Sequence, residues 1–187
     1  NGYKSLFLNT TGYYNVAIGG YALYNNSIGN FNTATGYSAL GATSGSSNSA
    51  YGTFTLWSNT TGNNNTAIGN QALLSNTTVS GLTALGFQSL YSNAAGIENV
   101  ATGYKSLYSN TSGSSNTANG YEALYSNTTG YRNIALGVSS LYGNTSGNDN
   151  IAMGYKSLYT NTTGHQNLGF GTEALFFNST GEYNVAV

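Results

Sequence analysis

The residues that could do chemistry are few, and they do not converge. His165 is the only histidine, cysteine is absent, and the carboxylates are Glu98, Glu122, Asp149, Glu173 and Glu182. General acid–base catalysis, nucleophilic attack and metal ligation each need several such groups at one point. No Ser-His-Asp set and no metal cluster can be assembled from these positions. The expectation is a chain that is not an enzyme and uses no metal or cofactor. Its many glycines lack the following Lys-Ser/Thr pair of a phosphate-binding loop.

Three other residue types recur densely enough to matter. The Asn-x-Ser/Thr sequon occurs at Asn9, Asn25, Asn59, Asn64, Asn76, Asn110, Asn127, Asn144, Asn161 and Asn178. Of these, Asn9, Asn59, Asn76, Asn110, Asn127, Asn144, Asn161 and Asn178 share one place in a repeat and are the candidate glycosylation sites. The same side chains also suit turns and a stacked amide ladder, and a glycan would compete with that ladder. A threonine column (Thr10, Thr60, Thr77, Thr111, Thr128, Thr145, Thr162) invites an ice-binding reading, although it falls in an expected turn. Tyrosines such as Tyr3, Tyr37, Tyr104, Tyr121 and Tyr155 could stack on sugar faces or on one another.

All of these columns come from a 17-residue repeat that fills residues 1–187 as a single array. Counting from its glycine as position 1, the units begin at Gly2, Gly19, Gly36, Gly52, Gly69, Gly86, Gly103, Gly120, Gly137, Gly154 and Gly171. The step is 17 except from Gly36 to Gly52, where one residue is missing within Gly41-Ala42-Thr43-Ser44. A deletion there marks a loop. Position 5 is Leu in all eleven units, and position 16 is Ala in ten, with Gly169 the exception. Position 14 is Asn except at Leu82, and position 11 is Gly except at Val79.

Seventeen residues suit one coil of a solenoid whose units stack on their neighbours. The expected fold is all-β, a parallel β-solenoid or β-roll of about eleven coils. The strand candidate is positions 14 to 17, as in Asn133-Ile134-Ala135-Leu136. Alternation puts positions 15 and 17 on one face and Ala on the other. Position 17 also holds Asn119, so Ala is expected inside and positions 15 and 17 outside. Val16, Ile18, Ile68, Val100, Ile134, Leu136, Ile151, Met153 and Val185 then form a candidate chain–chain interface. Leu at position 5 is the main core residue, each worth roughly 1.5–3 kcal/mol of burial. Position 4 is always Ala, Ser or Thr, which indicates a tight site. Small at 4 and large at 5 and 6 breaks strict strand alternation, so a bend or a short helical turn stands beside a strand as the expectation there. Aromatic residues at position 6 and asparagines at positions 8 and 14 should stack as ladders. Every charge lies at position 3, 12 or 13, which places those positions in water.

Composition narrows the partners. Charged residues make up 5% of the chain and the formal net charge is -1, so nucleic acid is not an expected partner. No apolar run is long enough to insert in a bilayer. Little charge with much Asn, Thr, Ser, Gly and Tyr suits an extracellular fibre. The chain begins at Asn1 and stops in mid-repeat at Val187, which reads as an excerpt of a longer array with sticky, uncapped ends.

Asn15-Val16-Ala17-Ile18-Gly19, Asn65-Thr66-Ala67-Ile68-Gly69 and Asn150-Ile151-Ala152-Met153-Gly154 resemble the Asn-Ser-Val-Ala-Ile-Gly motif of trimeric autotransporter adhesin heads. The full unit is similar to repeats of bacterial and phage tail-fibre-type proteins. The adhesin resemblance implies a left-handed parallel β-roll, assembly as a trimer and binding to host surfaces. Ile68-Gly69-Asn70-Gln71-Ala72-Leu73 is also similar to a step of one class of leucine-rich repeats, whose units are longer. The functional expectation is a structural fibre or adhesin-like stalk at a cell surface or on a virion tail, associating with itself. A module that binds surface glycans or ice is the alternative.

Overall fold

The structure is a computed structural model that describes residues 2–187. It is an all-β solenoid in which each 17-residue unit contributes one short strand and a run of turns. The strands are β1 (Val16–Ile18), β2 (Thr33–Thr35), β3 (Ser49–Tyr51), β4 (Thr66–Ile68), β5 (Thr83–Leu85), β6 (Val100–Thr102), β7 (Thr117–Asn119), β8 (Ile134–Leu136), β9 (Ile151–Met153), β10 (Leu168–Phe170) and β11 (Val185–Ala186). They form one parallel sheet in sequence order. The register is position on like position, for example Ile134 with Ile151 and Ala135 with Ala152. No helix occurs among the described residues, so the segment after the strand is a bend.

Both ends of each strand have a chemical cause. At position 14 the Asn side chain turns inward and bonds to coils on either side. At position 1 the glycine has φ between 121° and 149° from Gly19 to Gly171, a conformation L side chains rarely adopt. The strand is therefore held to three residues, with the small residue of position 16 buried and positions 15 and 17 turned outward.

The core is two inward columns. Leu23, Leu40, Leu56, Leu73, Leu90, Leu107, Leu124, Leu141 and Leu158 are fully buried, against Ala34, Ala67, Ala101 and their equivalents. Positions 4 and 5 both point inward, which a strand would forbid. Left-handed residues at positions 3 and 5, such as Lys105 (φ 51) and Leu107 (φ 49), make this possible. Position 13 is left-handed as well, as at Ser115 (φ 56). A left-handed non-glycine residue costs roughly 1–2 kcal/mol. Burial of the leucine at the same position, roughly 1.5–3 kcal/mol, offsets this.

Backbone hydrogen bonds hold the coils in both directions. In the seventh coil, the N–H groups of Leu107, Ser109 and Thr117 donate forward to the carbonyls of Ala123, Tyr125 and Asn133 at 3.0, 3.0 and 2.9 Å. Gly120 and Glu122 of the eighth coil donate back to Thr102 and Tyr104 at 2.9 and 2.8 Å. These bonds impose the left-handed turns. One exposed left-handed site tests the point. Gln166 (φ 57) donates its backbone N–H to the Asn148 carbonyl at 3.0 Å. Gln166→Gly is expected to keep that bond and raise stability by about 1 kcal/mol, read from urea melts.

Candidate functional surfaces

The asparagine columns are interior. At position 8, Asn110 donates Nδ2–H to Asn93 Oδ1 at 2.8 Å and to the Gly113 carbonyl at 2.9 Å. Asn127, Asn144 and Asn161 repeat the pattern. At position 14, Asn133 donates both its backbone N–H and its Nδ2–H to Asn116 Oδ1, at 3.0 and 3.1 Å. Two amide oxygens are left without a partner, Asn26 Oδ1 and Asn76 Oδ1. Thr43 follows Asn26 in the column and has no amide to offer. Asn93 follows Asn76 and donates to the Gly96 carbonyl instead. Both faults border irregular coils, the shortened third and the fifth with Val79 and Leu82.

This geometry sets the ladder against the glycosylation reading. Asn59, Asn76, Asn110, Asn127, Asn144 and Asn161 are fully buried. Asn9 and Asn178 are partly buried, yet their Nδ2 groups also donate to carbonyls, those of Gly12 and Gly181. An N-glycan needs that nitrogen and a path to solvent, so it cannot coexist with the ladder. The sequons that the fold leaves exposed are Asn25 and Asn64, outside the column.

The position 9 threonines other than Thr77 also spend their donors internally. Thr60, Thr111 and Thr128 donate Oγ1–H to the carbonyl of the next coil at 2.9, 3.0 and 3.0 Å. They lie in turns, as the sequence suggested. The threonines that stand in a regular sheet are others: Thr33, Thr35, Thr66, Thr83, Thr102 and Thr117.

On the outward strand face, Val16, Ile18, Ile68, Val100 and Val185 are exposed, and Ile134, Leu136, Ile151 and Met153 are half-buried. The register aligns them in two columns. The polar residues collect in β2–β7, whereas β8–β11 present Ile134, Leu136, Ile151, Met153, Leu168, Phe170 and Val185. Leu168 and Phe170 were not among the expected interface residues. Position 15 and 17 side chains counted coil by coil would have found them.

A second face carries aromatic rings. Tyr91, Tyr108, Tyr125, Tyr142, Tyr159 and Phe176 stack continuously, with centroids 5.0 to 5.2 Å apart. Phe87, Tyr104 and Tyr121 stack beside them at position 2. Every lysine sits between these two columns. Lys105 Nζ lies 5.4 Å from both the Tyr104 and Tyr108 rings, and Lys156 Nζ lies 5.2 and 5.4 Å from Tyr155 and Tyr159. A hydrogen bond with Tyr155, followed by its charge interaction, pushes the Lys156 pKa up.

Charged side chains pair between adjacent coils. Arg132 grips Asp149 one coil on, Nε to Oδ1 at 2.7 Å and Nη2 to Oδ2 at 2.8 Å. His165 Nε2 lies 2.9 Å from Glu182 Oε1, again one coil on. These are surface pairs that tie adjacent coils, and exposed pairs of this kind are worth about 0–1 kcal/mol. No group of three or more His, Asp or Glu side chains that could hold a metal occurs among the described residues. No helix there is long and apolar enough to cross a membrane. No family model, curated protein or solved structure matches the chain.

Proposed function

We propose that this chain is a structural rod of an extracellular fibre or stalk, and that copies associate laterally through the outward strand face. The observation that carries the reading is the apolar concentration on β8–β11, in strict register on a rigid sheet. A contiguous exposed apolar patch is typical of an interface. The periodic surface suits a periodic task. Each coil advances the rod by about 4.8 Å, so the array spans about 50 Å. Low charge fits a fibre segment, and the resemblance of the Asn-x-Ala-Ile-Gly step to adhesin heads supports the same use.

The test is sedimentation velocity on the purified chain and on a double variant, Ile151→Lys with Phe170→Lys. Both residues point outward, and Phe170 is 53% exposed, so neither change should disturb the core. The native chain is expected to sediment as a small oligomer. The variant is expected to be a monomer that keeps the native circular dichroism spectrum, because like charges at the contact oppose association. A native chain that stays monomeric at every concentration refutes lateral association. Electron microscopy of the same sample separates closed oligomers, seen as short rods, from open filaments.

A further inference from the structure

The position 6 aromatic column is interrupted at Gly41 and at Leu74, and the gap at Gly41 forms a cleft walled mostly by rings. In the third coil position 6 is Gly41, so the column between Tyr24 and Trp57 lacks its ring. The resulting space is about 220 Å³, walled by Tyr21, Tyr24, Tyr37 and Trp57, with Ser38 and Gly41 at its floor. The aromatic packing changes locally to suit it. From Phe87 to Phe176 the columns stack nearly parallel, whereas around the cleft Tyr21–Tyr37 and Tyr37–Phe54 meet edge to face at 5.7 and 5.6 Å, as Tyr3–Tyr21 and Phe54–Trp57 do beside it. Trp57 leans over the gap, its Cδ1 about 3.1 Å from where a Cβ on Gly41 would lie.

The same chain shows what such a space holds. At Lys4, Lys105 and Lys156 an ammonium from position 3 sits between the position 2 and position 6 rings, 5.2 to 5.4 Å from each. In the third coil position 3 is Ser38, which cannot supply one, while the rings around it are more numerous. We propose that this cleft binds an external alkylated ammonium ion of the choline or methylated-amine class. Cations of this kind are attracted to ring faces and need no carboxylate partner. No charged residue lies between Lys4 and Glu98 in the sequence, so no fixed cation of that stretch competes. The small volume fits a head group better than a larger ligand. A sugar would bring several hydroxyls that need hydrogen-bond partners, whereas a quaternary ammonium brings none. The cleft is on a different face from the strand columns, so the proposal goes beyond the fibre reading and does not depend on it.

Trp57 is the only tryptophan, which gives the site its own fluorescent reporter. Choline and tetramethylammonium are titrated into the full chain, with 3,3-dimethylbutan-1-ol as the neutral isostere of choline. The expected result is a saturable change in Trp57 emission with both cations, half-complete in roughly the millimolar range, and none with the alcohol. Gly41→Tyr, which restores the column residue of neighbouring coils, should abolish the response while circular dichroism shows the fold intact. Tyr37→Ala should weaken binding about threefold, the size of one cation–π contact at a half-exposed ring. The proposal is overturned by no saturable response up to roughly 100 mM, where so weak an affinity would still register. It is equally overturned if the neutral alcohol or glucose matches choline, or if a folded Gly41→Tyr chain responds as the native one does.

Discussion

Gly86→Ala is expected to destabilise the array by about 3–5 kcal/mol, the sum of a strained backbone and an overpacked contact. Gly86 has φ 135, outside the range of an alanine at ease. A Cβ built on it would lie 2.4 Å from the Gly103 carbonyl oxygen and 2.7 Å from the carbonyl carbon. Both atoms are backbone of the next coil, so relief requires the coils to part. In a stacked array each coil contacts only its neighbours, and a lesion in the middle uncouples the two halves. The urea melt is therefore expected to shift down and to split into two phases. Gly20→Ala is the control. Its added Cβ would meet Tyr37 Cδ2 at 3.4 Å, an ordinary contact, and its φ is not in the left-handed range. That change should stay within about 0.5 kcal/mol of the native chain. A Gly86→Ala melt that overlays the native one would mean the coils do not stack at this glycine.

The contrast between Gly86 and Gly20 also shows what could be read from the sequence. Position 1 is glycine in every unit, whereas position 2 holds Gly20, Tyr37, Thr53 and Val138. Invariance across eleven copies pointed to a constraint before any geometry was known. The same comparison placed Leu107 and its column in the core and put Ala inside, because Asn119 at position 17 would not tolerate burial. The deletion in the third unit lies in a turn, as expected from loop tolerance.

Other features could not be read this way. Lys105, Gln166, Arg132 and Leu107 have no preference for left-handed backbone, yet all four adopt it. Hydrogen bonds between coils force the conformation, and no local pattern encodes them. The choice between ladder and exposed sequon was open for a similar reason. Asn-Thr-Thr is a surface motif by local chemistry, but burial of Asn127 is a property of the stacked array. The cleft at Gly41 is intermediate. The missing aromatic is visible in the sequence, but its four walls come from positions 2, 3 and 6 of three coils.

Asn133→Ala is expected to cost about 3–5 kcal/mol, the second large effect. The side chain is fully buried and lies in the uninterrupted part of its ladder. Its Nδ2–H donates to the Gly147 carbonyl at 2.8 Å and to Asn116 Oδ1 at 3.1 Å. Both acceptors keep another bond when it is removed, from Asn144 Nδ2 and from the residue 133 backbone N–H. Asn133 Oδ1 matters more. It accepts the Asn150 backbone N–H at 3.0 Å and Asn150 Nδ2–H at 3.2 Å. With alanine, that backbone donor is buried without the side-chain acceptor, and the lost amide leaves a void. Leu82 occupies the same column and fills the volume without replacing the acceptor. Asn133→Leu is therefore expected to cost less than Asn133→Ala, and the difference between the two melts measures the void apart from the orphaned donor. Equal melts for both variants would assign the whole effect to hydrogen bonding. A native-like melt for Asn133→Ala would remove the ladder from the forces that hold the coils together.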